Sequence, residues 1–452
     1  MHIHILGVCG TFMGGIAQIA ITLGHKVTGS DQHVYPPMSD QLQAIGIELQ
    51  EGYLTEHLQP RPDMVIVGNT ISRGNPALEY VLENKLVFCS GPEWLYREVL
   101  INKHVLAVSG THGKTTTTTI LSWILEYAGK NPGFLIGGVA ENFGLSARLT
   151  ESEYFVIEAD EYDTSFSDKR SKFIHYHPGT LIINNLEFDH ADIFTDLDAI
   201  KREFHHMIRV LPGSTQIIYP DEDDAVQSVI EMGCWSDKKT FGEETSDWRL
   251  QQINNDFTEF VVTYQDQNMA TIKWTLLGKH NAKNALAAII AANHIGIPVD
   301  VTANALAEFK SVKRRLECLY QENGTALYDD FAHHPTAIHS TLAALRSHVN
   351  EKRIIAIMEP RSNTMKMGVH SKTLASSFKE ADMIILFQPD TIDWNLKDSM
   401  HELGEKCQVF IDIDAIVTAV KGIVQQGDQI VVMSNGGFGG IHKKLIDVLK
   451  EK

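Results

Sequence analysis

The sequence predicts an α/β protein built from three domains in succession. Three observations carry this expectation: a length of 452 residues, too great for one ordinary core; short apolar strand patterns alternating with helix-length stretches; and a restart of that alternation at two points along the chain. The first block spans 1–103, with strand patterns at 2–7, 26–30, 64–68 and 86–89 and helix-length stretches at 14–23 and 75–84. A second block, 104–311, opens on a strand pattern at 104–109 and continues through 154–159 and 180–184. The third, 312–452, carries patterns at 326–329, 353–358, 383–387, 409–411 and 429–434. Parallel βαβ units packed around clefts are the expected outcome.

Composition narrows the function classes. Apolar residues at 43% and charged residues at 21% are the proportions of a folded soluble chain. The longest apolar runs, such as 64–68 and 383–387, have buried-strand length and fall far short of a membrane span. Because the first residues go directly into a strand pattern, without a basic and then apolar leader, the expected location is the cytoplasm. Cys9, Cys89, Cys234, Cys318 and Cys407 are odd in number and scattered, which suggests reduced thiols rather than a disulfide frame or zinc site. A net charge of −18 argues against nucleic-acid binding, which needs a basic footprint. It leaves nucleotide substrates open, since a loop of backbone amides with one or two lysines holds a triphosphate locally.

The sharpest local signal is Val105-Leu106-Ala107-Val108-Ser109-Gly110-Thr111-His112-Gly113-Lys114-Thr115-Thr116. A buried strand feeds a glycine-bearing loop that ends in Gly-Lys-Thr and enters a helix expected to start near Thr116, the context of a phosphate loop. Lys114 would supply charge to the β- and γ-phosphates, and Thr115 a hydroxyl to magnesium. The spacing is shorter than the general phosphate-loop rule, because Val108 stands where that rule has glycine. Gly-Thr-x-Gly-Lys-Thr resembles the ATP loop of the Mur ligases and of folylpolyglutamate synthetase.

Further segments extend the resemblance to the Mur ligase family over essentially the whole chain. Glu158-Ala159-Asp160-Glu161 closes a strand whose carboxyl end faces the nucleotide in such sheets. The resemblance implies that Glu161 holds magnesium together with Thr115. Asn184-Asn185-Leu186-Glu187-Phe188-Asp189-His190 is similar to the family segment whose histidine binds a second divalent ion, which implicates His190. Asn281 and Asn284 in Gly278-Lys279-His280-Asn281-Ala282-Lys283-Asn284 lie three apart, on one helix face; their amides suit the donor and acceptor edge of adenine, and equally suit helix caps. Arg315 in Lys313-Arg314-Arg315-Leu316-Glu317 is implied to approach the phosphates, and Asp330 in Tyr328-Asp329-Asp330-Phe331 the ribose or base. ATP and Mg2+ are the implied cofactors. The implied architecture is a Rossmann-like N-terminal domain, a phosphate-loop ATPase-like central domain and a Rossmann-like C-terminal domain.

At the N-terminus, Gly7-Val8-Cys9-Gly10-Thr11-Phe12-Met13-Gly14-Gly15 resembles the opening of the muramate-using members, which places Gly10, Met13, Gly14 and Asp31 at the UDP-N-acetylmuramate site. A nicotinamide oxidoreductase would show similar glycines and a similar Asp31, but the ATP loop and carboxylates downstream disfavour hydride chemistry. The segments 168–173, 359–366 and 433–440 look more like members that add a murein tripeptide than those that add L-alanine. Arg170, Arg361 and Asn435 therefore become candidate substrate contacts, arginine being suited to clamp a carboxylate with two parallel hydrogen bonds. L-alanine addition and a non-catalytic nucleotide-binding regulator are the alternatives. Oligomeric state has no sequence signal here, and Lys201 has no match to the family's carbamylated lysine.

Overall fold

The computed structural model describes residues 1–34, 38–242 and 245–451, and it contains three sheets in succession. The first joins β1 (His2–Leu6), β2 (Lys26–Asp31), β3 (Glu48–Glu51), β4 (Met64–Val67) and β5 (Phe88–Ser90) in the order β3-β2-β1-β4-β5, all parallel. The strand order reverses between β2 and β4, so the crevice above the carboxyl end of β1 is the switch point where such sheets take ligands. There the helix Thr11–Thr22 starts, and its N-cap residue Gly10 makes no side-chain capping bond.

The central sheet is larger than the sequence pattern suggests. It comprises β6 (His104–Ser109), β7 (Gly133–Ala140), β8 (Leu145–Arg148), β9 (Tyr154–Glu158), β10 (Thr180–Ile183), β11 (Gln216–Pro220), β12 (Asp237–Gly242), β13 (Trp248–Gln252), β14 (Glu259–Tyr264) and β15 (Gln267–Lys273). Their order is β15-β14-β13-β12-β11-β10-β6-β9-β7-β8, with antiparallel pairs only at β13–β14, β14–β15 and β7–β8. At its centre, β6, β9 and β10 are buried on both faces, which is why they read as continuous apolar runs. The third sheet has β16 (Glu317–Glu322), β17 (Thr325–Asp330), β18 (Ile354–Met358), β19 (Met383–Phe387), β20 (Cys407–Phe410) and β21 (Gln429–Met433), ordered β16-β17-β21-β18-β19-β20, with only β16 antiparallel. All five cysteines are free. Among the described residues, no helix is long and apolar enough to cross a membrane.

Side-chain bonds join the central and C-terminal domains. Thr364 Oγ1 donates to Asp189 Oδ1 at 2.7 Å and accepts from the Ala191 amide at 3.2 Å. Asn363 donates to Asp192 at 2.9 Å, and Thr336 donates to Glu187 at 3.0 Å. The loop after β10 therefore forms one wall of a cleft and the C-terminal domain the facing wall.

One buried polar network lies inside the first domain and titrates. His4, fully buried on β1, bonds Thr28 through Nδ1 at 2.8 Å and Ser30 through Nε2 at 2.9 Å, tying β1 to β2. Burial, aided by His2 and His57, pushes its pKa from 6.5 down to about 3. The unfolded chain therefore takes up this proton near pH 6.5, and the folded chain only near pH 3. Stability from this site is complete above pH 6.5 and is lost as pH falls below it, by up to about 1.4 kcal/mol per pH unit. The fall in unfolding free energy between pH 7 and 5 should accordingly be shallower in His4→Gln than in the parent; equal slopes in denaturant titrations would contradict this.

Candidate active site

The phosphate loop is placed by its neighbours. Beyond β6, Gly110 has φ +122° and Gly113 φ +81°, and a Cβ on Gly110 would meet the Asn184 and Asn185 backbone at 2.9–3.0 Å. A Cβ on Gly113 would lie 2.5 Å from Asn284 Oδ1. Glycine is thus required both for the left-handed turn and for the close approach. The Thr111 amide donates to Asn185 O at 3.0 Å, and the His112 amide to Asn185 Oδ1 at 2.8 Å. The helix that follows is Lys114–Tyr127; it begins two residues earlier than Thr116 and has no side-chain cap. The first-turn amides of Lys114, Thr115 and Thr116 therefore remain available to an anion, reinforced by the helix dipole.

Opposing charges crowd this helix start. Lys114 Nζ donates to Gly110 O at 2.7 Å and to Glu161 Oε2 at 2.9 Å, and it lies 4.0 Å from Asp160. Burial pulls the Lys114 pKa down, but Glu161 and Asp160 outweigh it and hold the value above the ordinary range. Glu161 also lies 3.0 Å from His190 Nε2. Burial raises the Glu161 pKa, yet Lys114 and His190 bring it down to about 2. The Tyr162 ring packs 4.3 Å from the His190 ring.

Thr115, expected to share a magnesium ion with Glu161, bonds a different carboxylate of the acidic run. Thr115 Oγ1 donates to Glu158 Oε1 at 3.0 Å, and Glu158 Oε2 accepts from the Gly137 amide at 2.7 Å. Glu158 is the last residue of β9 and stands beside the helix start, whereas Glu161 lies past the strand end and turns toward His190. Asp160, Glu161 and His190 place their donor atoms within 4.8 Å of one another. Two carboxylates and an imidazole suit a hard divalent cation, and Asp160 joins the expected Glu161 and His190 in that set. Glu158 and Asp160 were visible in the sequence as the start of the acidic run that closes the strand; which of the carboxylates meets Thr115 was not.

From the third domain, Arg315 Nη2 donates to Thr115 Oγ1 at 3.3 Å, and its guanidinium lies 5.1 Å from the Phe331 ring centre. Asp330 lines the cleft, but its oxygens already accept from the amides of Leu316 and Ala332 and from Thr341 Oγ1. Asp330, expected to approach the ribose or base, thus lines the cleft and also braces the hinge beside Arg315. Asn284 Nδ2 donates to Asn281 Oδ1 at 3.4 Å, Asn281 donates to Leu277 O at 2.8 Å, and Asn284 faces the phosphate loop through Asn184.

These groups open into one cleft of about 1780 Å³ shared by the three domains. Gly10, Met13 and Asp31 line its N-terminal side, where Asp31 Oδ2 accepts from the Cys9 amide at 2.8 Å. Gly14, expected at the same site, is buried under Met38, whose sulfur would be 2.4 Å from an added Cβ. Arg361 and Asn435 line the opposite side, Arg361 lying so close over Gly436 that no Cβ fits there. Arg170 does not join them. It is largely exposed and bound at 2.7 Å to Asp168, whereas Lys172, two residues on, turns into the cleft.

With this geometry in view, comparison with known proteins is decisive. Residues 2–99 match the model for the Mur ligase family, catalytic domain; 108–292 the Mur ligase middle domain; and 314–436 the Mur ligase glutamate ligase domain. The chain belongs to the Mur ligase family. It is 52% identical over its full length to the UDP-N-acetylmuramate–L-alanyl-gamma-D-glutamyl-meso-2,6-diaminoheptandioate ligases of Escherichia coli and Haemophilus influenzae, covering 99% and 100% of those chains. UDP-N-acetylmuramate–L-alanine ligases, such as that of Caldanaerobacter subterraneus, reach 30% over 100% of this chain and 98% of theirs. A solved murein peptide ligase from Psychrobacter arcticus superposes with a TM-score of 0.77 at 45% identity, covering 100% of this chain and 99% of that one. The alanine ligase structure from Thermotoga maritima, at 21% identity and TM-score 0.83, shares the fold over 100% of this chain and 99% of its own.

The carboxylate and imidazole set yields a direct expectation. Glu161→Ala and Asp160→Asn should each raise the magnesium concentration for half-maximal activity, by on the order of tenfold. Superimposable magnesium titrations for parent and variants would remove both residues from a metal role.

Proposed function

We propose that this Mur ligase is an ADP-forming enzyme that joins L-Ala-γ-D-Glu-meso-diaminopimelate to UDP-N-acetylmuramate, using ATP and Mg2+, in the cytoplasm as a peptidoglycan-recycling step. The observation that carries this reading is the convergence of phosphate loop, acidic-histidine cluster and Arg361 on one cleft. The gap between 52% identity to tripeptide-adding relatives and 30% to an alanine-adding one favours the tripeptide. Both substrates are small molecules; neither nucleic acid nor a membrane enters the reaction.

Each wall of the cleft has a task in this reaction. The Gly110–Thr116 loop, with Thr111, His112 and the amides of Lys114, Thr115 and Thr116, cradles the ATP phosphates; Lys114 and Arg315 offset charge as the γ-phosphoryl moves. Asn281 and Asn284 support the nucleotide side. Asp160, Glu161 and His190, with Thr115 and Glu158 beside them, would hold magnesium, which would supply positive charge against the phosphates. Gly10, Met13 and Asp31 receive the UDP-sugar. A muramate carboxylate oxygen bonds to the γ-phosphorus while the bond to ADP breaks; the tripeptide amine then displaces phosphate and forms the amide. A proton must leave that amine. His333 Nδ1 donates to the Phe331 carbonyl at 2.9 Å, which leaves Nε2 in the cleft wall as an acceptor for it.

Offering L-alanine and the tripeptide separately with UDP-N-acetylmuramate and ATP tests the reading: amide product with the tripeptide supports it, and product with L-alanine alone, or none, overturns it. Lys114→Ala should abolish turnover in a folded protein. Arg361→Ala should raise the tripeptide KM alone, a loss of about 2 kcal/mol or more if the ion pair is desolvated. A fall in kcat with every KM unchanged would instead set Arg361 against the transferring phosphoryl group.

A further inference from the structure

We infer that Lys172 is a substrate-binding cation that holds the muramate carboxylate between the N-terminal helix and the phosphate loop; this rests on the substrate assignment above. Lys172 belongs to the basic stretch 168–173, whose other cations are neutralised locally. Arg170 pairs with Asp168 at 2.7 Å and Lys169 with Asp163 at 2.7 Å, and both are exposed. Lys172 behaves differently: its side chain is 9% exposed and lines the central cleft. Its backbone is pinned, the amide donating to Tyr162 O at 2.9 Å, so the inward direction is built into the turn.

The surroundings of the ammonium are those of an anion site awaiting its ligand. Nζ lies 3.3 Å from Asp160 Oδ2 and over the rings of Phe12, at 5.4 Å, and Tyr162, at 5.6 Å. Asp160 is shared, its other oxygen lying 4.0 Å from Lys114 Nζ. A buried ammonium with three N–H donors, one shared carboxylate and two ring faces has donor capacity left over. A second, independent feature points to the same place. Phe12 lies in the first turn of the helix Thr11–Thr22, whose residues Thr11, Phe12 and Met13 line the cleft and whose N-cap Gly10 offers their amides no side-chain acceptor.

Position selects the anion. Lys172 stands between the N-terminal crevice proposed for the UDP-sugar and the Lys114 loop proposed for the γ-phosphate. A substrate spanning the two must pass its reacting carboxylate beside Lys172. As that oxygen bonds to phosphorus and the bond to ADP breaks, Lys172 holds the carboxyl group in line, while Asp160, between the two ammonium groups, fixes where Lys172 sits.

Calorimetry and steady-state kinetics on the full chain test this. Lys172→Met should weaken UDP-N-acetylmuramate at least tenfold, in binding and in KM, with Mg·ADP affinity and tripeptide KM within twofold of the parent; Lys172→Arg should recover most of the loss. UDP-N-acetylmuramate affinity within twofold of the parent in folded Lys172→Met overturns the inference. So do equal losses for all three ligands with a lowered melting temperature and no rescue by arginine, the pattern of a merely structural lysine. Failure of the parent itself to bind UDP-N-acetylmuramate instead overturns the substrate assignment, and with it this role.

Discussion

The Lys114 ammonium, buried at the start of the central helix and held 2.9 Å from Glu161, is the interaction on which the site depends. A buried lysine without a partner would shed its proton, and a buried glutamate without one would take a proton up. Together they keep both charges inside a wall that largely excludes water. Glu161 carries the interaction on to His190, and Asp160 extends it to Lys172. The phosphate loop can lie against Asn184 and Asn185 only because its glycines lack a Cβ, and that contact sets where Lys114 points. Loop geometry and charge pairing are therefore one constraint.

That constraint reconciles the chain's charge with its chemistry. A protein with net charge −18 is a poor host for a triphosphate and a carboxylate on average. Locally, Lys114, Lys172, Arg315 and Arg361 all line one cleft. The acidic residues among them offset these cations, Glu161 pairing with Lys114 and Asp160 with Lys172. Domain contacts through Thr364 and Thr336 bring the loop after β10 against the C-terminal wall, so the cleft is assembled from residues far apart in sequence.

Much of this was legible beforehand, for identifiable reasons. Strands buried on both faces, such as β6 and β18, announce themselves as apolar runs, and the predicted bounds at 104–109 and 383–387 coincide with β6 and β19. The antiparallel extension β13 to β15 escaped notice because sequences like Trp248–Gln252 and Gln267–Lys273 are largely polar, one face lying in solvent. At the site, motif and spacing located the phosphate loop, the acidic run and His190. They did not show which carboxylate of 158–161 meets Thr115, since that depends on the direction each side chain takes at the end of β9. Nor could they separate Arg170 from Lys172: a partner two residues back turns the first outward, and the turn after Ser171 sends the second in. For Asp330 the sequence did not show that its oxygens also accept from the Leu316 and Ala332 amides and from Thr341, a bracing role set by the hinge.

The central claim is that this cleft activates a substrate carboxylate by transferring phosphoryl to it. The most direct measurement follows oxygen: UDP-N-acetylmuramate labelled with 18O in its carboxylate is turned over with ATP, Mg2+ and the tripeptide, and the inorganic phosphate is analysed by mass. The account predicts one labelled oxygen in each phosphate released, because the carboxylate oxygen that attacks phosphorus leaves with it. Amide product accompanied by unlabelled phosphate would contradict it.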